Sequence, residues 1–417
     1  MKILFLNTND ISGGAAIAAY RLLKGLQQNS VQAQMLVQSK KSDDYSIISP
    51  GTKWQKAFTK VRPILDNIPV SLYKQRKKII FSPAVLPENI LKKIKEINPD
   101  IVHLHWIASG FIKIETLARI KKPIIWTLHD MWAFTGGCHY DEECGKYINN
   151  CGHCPLLNSN KQNDLSYKTW RRKKKSWKNL DLTVVTPSSW LGECAKKSSL
   201  FHKTRVEVIP NGIDLNRFKP IDKNTAKDIL CLPKDKKLIL FGAISAGSDK
   251  RKGFSLLKEA LKKYSSKENK DIELIIFGSS RRSGEEKMDF KTHYLGQLND
   301  EMSLALLYSA ADVMIVPSIQ DNLPNTVVES LACGTPVVAF GIGGIPDMVK
   351  HKENGYLAKP FDTTDLVNGI EWVLEHQVRW KKLSHNARKK AVDDFDITKV
   401  ARRFEELYKD ILERQDN

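Results

Sequence analysis

Short, nearly unbroken apolar runs recur along the chain, separated by helical patterns. In the first half they read "KILFLN", "AQMLVQ", "IVHLHW", "PIIWTLH" and "LTVVTPS". In the second half they read "VEVIPNG", "KLILFGA", "IELIIFG", "DVMIVPS" and "TPVVAF". A strand with one wet face alternates apolar and polar residues, whereas these runs are apolar at almost every position. That pattern marks strands covered on both faces, hence parallel sheets flanked by helices. Between them lie amphipathic stretches such as "GFSLLKEALKKY" and "EMSLALLYSAA". Two series of β-α units predict an α/β chain with two doubly wound, parallel-sheet, Rossmann-like domains. The 417 residues suit two such domains. Pro210, Asn211, Gly212 and Pro220 punctuate the chain near "VIPNGIDLNRFKP". The reading gives an N-terminal domain at 1–205, a C-terminal domain at 206–395 and a last helix at 396–417, which packs back toward the first domain.

The net charge is +19. Partners are therefore expected to be anionic: nucleotides, phosphates, nucleic acid or an acidic membrane face. The densest basic runs are "SLYKQRKKIIF" at 71–81 and "KTWRRKKKSWK" at 168–178. Both mix cations with apolar or aromatic residues, as a helix on anionic lipid does. Each also fits a solvated helix face. A nucleic-acid-binding protein is the alternative from another class. Against it, no RNA or DNA module is recognisable, and the basic runs lie away from the strand ends. No apolar run reaches the ~20 residues that span a bilayer. "MKILFLNTND" is too short an apolar run for a secretion signal and reads as the first strand of a cytoplasmic protein.

Open parallel sheets bind ligands at the carboxyl ends of their strands, so a cleft between the domains is the expected site. After the first strand, Gly13 and Gly14 precede a helix, where backbone N–H groups can approach an anion. Neither G-x-G-x-x-G nor G-x-x-x-x-G-K-[ST] occurs. After "PIIWTLH" come His129 and Asp130, and His129 suits contact with a ligand hydroxyl or proton transfer. His103 and His105 in "HLHW" are read as facing opposite sides of their strand, so that at least one is structural. Lys250, Arg251 and Lys252 precede Gly253 and a helix, an arrangement suited to a diphosphate. The stretch "SIQDNLPNTVVESLACGTPVVAF" then supplies two acids. Asp321 can bind sugar hydroxyls and Glu329 a ribose diol. The N–H groups of Asn322, Leu323, Pro324, Asn325 and Thr326, Pro324 lacking one, lie in a loop suited to phosphate or sugar oxygens. The plainer reading is that Asp321 caps the helix and Glu329 lies on the surface.

Together these residues resemble the GT-B glycosyltransferases of the retaining family 4 type, over almost the whole chain. The most specific part is "PSIQDNLPNTVVESLACGTPVVAFGIGGIPDMV", which resembles the family's carboxylate-x7-carboxylate block. "SGGAAIAAYRLLKGL", "WTLHD", "TPSSW", "VIPNGID", "KGFSLLKEAL" and "NGYLAKP" support it. "HDMWAFTGGCHY" and the cysteines after it are similar to the colanic-acid and exopolysaccharide transferase subgroup. The resemblance implies roles. Gly13 and Gly14 would face the donor phosphates, and His129 the transferred sugar. Lys252 would neutralise the diphosphate, with Arg251 standing in for an Arg that the family often has where this chain has Ala243. Asp321, a Glu in most members, would hold the sugar with the loop behind it, and Glu329 the ribose. The implied donor is a UDP- or GDP-sugar, used without a catalytic metal. The implied acceptor is a saccharide or a polyprenyl-diphosphate-linked saccharide at the inner face of the plasma membrane. A sugar-nucleotide epimerase or a phosphorylase would keep the fold and change the reaction. The Asp-Phe-Asp at 394–396 reads as capping and surface charge.

Four of the seven cysteines cluster in "CHYDEECGKYINNCGHCP": Cys138, Cys144, Cys151 and Cys154. The last two form C-x-x-C, a zinc half-site, with His139 and His153 as extra candidate ligands. A structural zinc stapling the loop after His129 is one reading, and free thiols or disulfides are the other. Cys194, Cys231 and Cys333 are isolated and read as buried.

Overall fold

All ten apolar runs hold β-strands in the computed structural model of the protein, which describes residues 1–242, 249–265, 271–278, 288–298 and 300–416. Seven strands form the first sheet: β1 (Lys2–Asn9), β2 (Gln32–Ser39), β3 (Ile47–Ile48), β4 (Ile101–Leu104), β5 (Ile124–Thr127), β6 (Leu182–Thr186) and β7 (Arg205–Val208). Their order is β3-β2-β1-β4-β5-β6-β7, and every pair is parallel. Six form the second: β8 (Lys237–Gly242), β9 (Ile272–Phe277), β10 (Thr292–Tyr294), β11 (Val313–Val316), β12 (Val337–Phe340) and β13 (Gly355–Ala358). Their order is β10-β9-β8-β11-β12-β13, again all parallel.

Each sheet is apolar on both faces, as the runs require. Ile3, Phe5, Ile101, Ile125 and Val185 share one core, while Leu4, Leu6, Val102, Leu104 and Trp126 belong to the opposite one. In the second sheet Leu238, Leu240, Met314 and Val337 lie in one core, and Ile239, Phe241, Ile315 and Val338 in the other. Adjacent residues thus go to opposite faces, with period two.

The strands belong to two compact units, Met1–Gly212 with Thr398–Asn417, and Ile213–Ile397. The last helix, Ile397–Asp416, lays Val400, Ala401, Phe404, Leu407, Tyr408 and Ile411 into the first core. Those positions follow the helical period. The strand in "VEVIPNG", counted with the second half on sequence, is β7. It pairs with β6 as an edge of the first sheet. The Pro-Asn-Gly punctuation follows this strand rather than preceding it, so the units divide after Gly212 instead of at 205. β3, β10 and β13 had no counterpart among the apolar runs. All lie at sheet edges, are two to four residues long and are partly exposed, so no unbroken apolar run marks them.

Candidate active site

The strand order of the second sheet reverses between β8 and β11. The helix after β8, Phe254–Ser265, packs on one face, and the helix after β11, Asn325–Ala332, on the other. Diverging helices leave a crevice at the carboxyl ends of the two strands, the place where open α/β sheets bind ligands. Lys252 lies past β8 and Asp321 past β11, and they meet there. Lys252 Nζ stands 2.6 Å from Asp321 Oδ2. The Ser318 hydroxyl donates to the same oxygen at 3.2 Å, and the Asn322 N–H donates to Oδ1 at 3.1 Å.

Backbone contacts fix the pair. The Ile319 N–H donates to the Arg251 carbonyl at 2.7 Å, and the Gly344 N–H to the Asp321 carbonyl at 3.2 Å. Gly253 has φ +67° and Gly343 φ +54°. A Cβ on the first would strike the Pro317 carbonyl oxygen and on the second the Asp321 carbonyl oxygen. Two of the chain's glycines are therefore set by this site. Burial pushes the Asp321 carboxyl up. The Lys252 ammonium and its hydrogen bond, Arg251 and the Ser318 hydroxyl outweigh that and hold it below the ordinary carboxylate range.

Arg251 is paired with Asp249, Nη2 to Oδ2 at 2.7 Å. Ala243, the position it was compared with, lies outside the described residues. Asn322, Leu323 and Pro324 are buried, with Leu323 in the core, while Asn325 and Thr326 are half-buried at the helix start. Pro324 is the N-cap residue and makes no side-chain cap bond, while the Asp321 carboxylate is engaged by Lys252, Ser318 and the Asn322 N–H, so Asp321 is not the N-cap of this helix. Glu329 is 4% exposed, so it is not a surface residue. It accepts a hydrogen bond from the Tyr308 hydroxyl at 2.9 Å. Ser318 and Tyr308 were missed on sequence, because a buried hydroxyl carries no local signal.

The first sheet reverses its order between β1 and β4. Gly13, with φ +93°, follows β1 as the N-cap of the helix Gly14–Gln28, which Gly14 opens. Between them and β1 lies Asp10, fully buried, which accepts from the Lys41 and Ser42 N–H groups at 2.9 and 2.7 Å. Its position at a strand tip was a signal the sequence reading passed over.

His129 follows β5, and its Nε2 lies 3.0 Å from His105 Nδ1. The rings of His103 and His105 are 4.3 Å apart. The reading that these two face opposite sides is corrected: residues two apart on a strand share a face. His103 bonds the Tyr408 and Thr127 hydroxyls at 2.7 and 2.8 Å. Burial lowers all three histidines, His103 to about 3, His129 to about 4 and His105 well below its ordinary value. His129 is thus a neutral imidazole near pH 7, suited to hydrogen bonding rather than to donating an imidazolium proton. Asp130 turns away to His139 Nδ1 at 2.6 Å and to the Trp106 indole at 2.8 Å.

The other side of His139, Nε2, meets the Ser82 hydroxyl at 3.0 Å, so both ring nitrogens are engaged away from the cysteines. Exposed His153 bonds the Asn160 carbonyl at 2.8 Å. Cys138, Cys151 and Cys154 are buried free thiols, and Cys144 is a half-buried one. Burial raises all four, Cys151 to about 12. Among the described residues no three His, Cys, Asp or Glu side chains are placed to hold one metal ion. Cys138 and Cys151 lie instead close to Lys173, which is fully buried and lowered by burial to about 7. Its ammonium sits 3.9 Å from the centre of the Trp132 ring and bonds the Trp132 carbonyl. Of the isolated cysteines, Cys333 is buried, Cys194 half-buried and Cys231 exposed, contrary to the reading of all three as buried.

Residues 222–391 match the family model for glycosyl transferases group 1, and residues 12–217 the model for glycosyltransferase family 4. The chain is 28% identical over 221 residues to the UDP-Gal:alpha-D-GlcNAc-diphosphoundecaprenol alpha-1,3-galactosyltransferase of Escherichia coli, covering 50% of this chain and 55% of that one. It spans about half the length of the curated relatives it matches, from 41% to 60% among the first three. Sucrose-phosphate synthase from Thermosynechococcus elongatus superposes with a TM-score of 0.69 at 20% identity, over 99% of this chain and 100% of that one. Anabaena HepE in complex with UDP-glucose superposes with a TM-score of 0.63 at 17% identity, over 98% and 100%. Both likenesses concern the fold. The chain belongs to the family 4 glycosyltransferases, with their GT-B fold of two parallel-sheet α/β domains.

Proposed function

We propose that the protein is a retaining glycosyltransferase that moves a sugar from a nucleoside-diphosphate sugar to a saccharide or lipid-linked saccharide in cell-surface polysaccharide synthesis. The observation that carries this is the Lys252–Asp321 pair at the strand-order reversal of the second sheet. As a glycosidic bond to a diphosphate breaks, negative charge grows on the leaving phosphate. A preset ammonium and the start of the helix Asn325–Ala332 stabilise that charge more in the transition state than before it. Asp321 aims Lys252 and accepts from a sugar hydroxyl. Glu329, oriented by Tyr308, takes the ribose. Among the described residues no side chain stands out as a covalent nucleophile, and the reading takes attack by the acceptor on the face that the diphosphate leaves. Gly13, Gly14 and His129 keep the roles that the family resemblance implies.

A UDP-sugar is favoured as donor over a GDP-sugar, because the similar fold of HepE is described with UDP-glucose. The name of the E. coli relative gives it a diphosphoundecaprenol-linked acceptor, which supports a lipid-linked acceptor and work at an anionic membrane face. Among the described residues no helix is long and apolar enough to cross a membrane. Release of nucleotide from a panel of UDP-, GDP- and ADP-sugars tests the reading. Lys252→Ala is expected to lower turnover of the preferred donor by at least ~2 orders of magnitude, the size of one transition-state charge contact. Turnover near that of the wild type would sink the assignment.

A further inference from the structure

One helix of the first unit is built inside out. In the described part of the helix Lys53–Asp66 the inner face carries two charges, Arg62 and Asp66, and the short helix Ile68–Ser71 after it buries only Val70. Arg62 is buried, and its guanidinium donates to the Gly110 carbonyl at 2.7 Å, the Pro87 carbonyl at 3.0 Å and Gln38 Oε1 at 3.2 Å. Asp66 is buried one turn on and accepts from the Val85 and Ala84 N–H groups at 2.8 and 3.3 Å. The outer face carries Phe58, Val61, Ile64, Ile68 and Leu72, between 43% and 77% exposed. Steps of three and four residues make these one stripe. A surface helix normally turns its apolar stripe to the core and its charges to water. Here the polarity is reversed, and a contiguous exposed apolar stripe marks a contact surface.

The lysines around the stripe say what covers it. Lys60 lies on the helix itself, and Lys74, Lys77 and Lys78 follow, all exposed. Lys77 is shared with Glu142 at 2.7 Å. Val70, Tyr73, Ile79 and Phe81 pin this segment onto a small core cluster, which leaves Leu72, Lys74, Lys78 and Ile80 on its outer side. Two copies of the chain meeting across the stripe would set like charges against each other in a molecule of net charge +19. A surface both apolar below and negative above is an anionic bilayer. We propose that the 58–80 stripe is the docking face for anionic lipid, with its aliphatic and aromatic side chains in the interface and its lysines on the headgroup phosphates. This gives a place to the membrane contact in the functional reading and rests on that reading only for its purpose.

Co-sedimentation with vesicles tests it. The wild type should bind phosphatidylglycerol–phosphatidylethanolamine vesicles at least about tenfold more tightly than phosphatidylcholine vesicles. The double variant Ile64→Asp with Leu72→Asp should lower that binding at least about tenfold. Lys74→Gln with Lys78→Gln should weaken it and remove part of its salt dependence. All four side chains are exposed, so melting temperatures should stay at the wild-type value. Equal binding to both vesicle types would overturn the proposal, as would an aspartate variant that binds like the wild type. A wild-type dimer that the aspartate variant makes monomeric would give the stripe to a second copy instead. Transfer to a water-soluble acceptor is read separately: its absence counts against the functional reading, and absent vesicle binding against the docking face.

Discussion

Asp321 carries the charge that holds Lys252, and its backbone carbonyl is closely approached by Gly343. Its carboxyl is held below the ordinary carboxylate range. The pairing therefore contributes stability above the ordinary aspartate value and loses it as pH falls through the lowered one. Asp321→Asn keeps the shape and removes the charge. It is expected to lower turnover about 10- to 100-fold, by loosening Lys252. Asp321→Glu moves the carboxylate by one methylene relative to Lys252 and Ser318, which hold it, so a changed preference among donor sugars is expected. Unchanged preference and rate in both variants would reduce Asp321 to a structural residue of its loop.

At the scale of elements, the C-terminal part of the helix Lys53–Asp66 is anchored by the buried Arg62 and Asp66. Asp66→Ala strips the Ala84 and Val85 N–H groups of their acceptor, and a loss of about 1–3 kcal/mol in denaturant unfolding is expected. This helix also shows where sequence reading stops. The basic run at 71–81 was legible in composition, whereas the reversed stripe before it was not. Whether Arg62 and Asp66 point inward depends on carbonyls and N–H groups from positions 84–110. Nine of the ten strands were legible because burial on both faces writes itself into consecutive residues; β7 is a half-buried edge strand, legible from its valines and the apolar run into Ile209. The edge strands β3, β10 and β13 were not, being short and half wet. Lys252 and Asp321 were each legible as strand-end residues. Their contact was not, since it needs β8 and β11 to be neighbours, and 69 positions separate the two side chains. The error over His103 and His105 was one of period, and the rule of two corrects it.

At the scale of the whole molecule, the buried histidines set how the protein meets acid. His103 and His129 titrate near 3 and 4 when folded, and His105 well below its ordinary value. Unfolded, each takes a proton near its ordinary value of about 6.5. Between roughly 6.5 and 4 the unfolded chain binds more protons than the folded one, so stability falls as pH drops through that window. Denaturation midpoints at pH 7.5, 6 and 5 should decline in that order, and the decline should shrink in His103→Gln, provided that variant folds. The last helix adds a constraint of another kind. Its Phe404, Leu407 and Tyr408 cover Ile3, Phe5 and Ile101, yet the whole segment Ile213–Ile397 is synthesised in between. At ribosomal speeds of about 5–20 residues per second, that face stays uncovered for roughly 10–40 s after the first sheet has emerged. The nascent chain thus presents an apolar surface until the helix Ile397–Asp416 is made. A premature stop near position 397 would strand it open, as a substrate for chaperones and proteases.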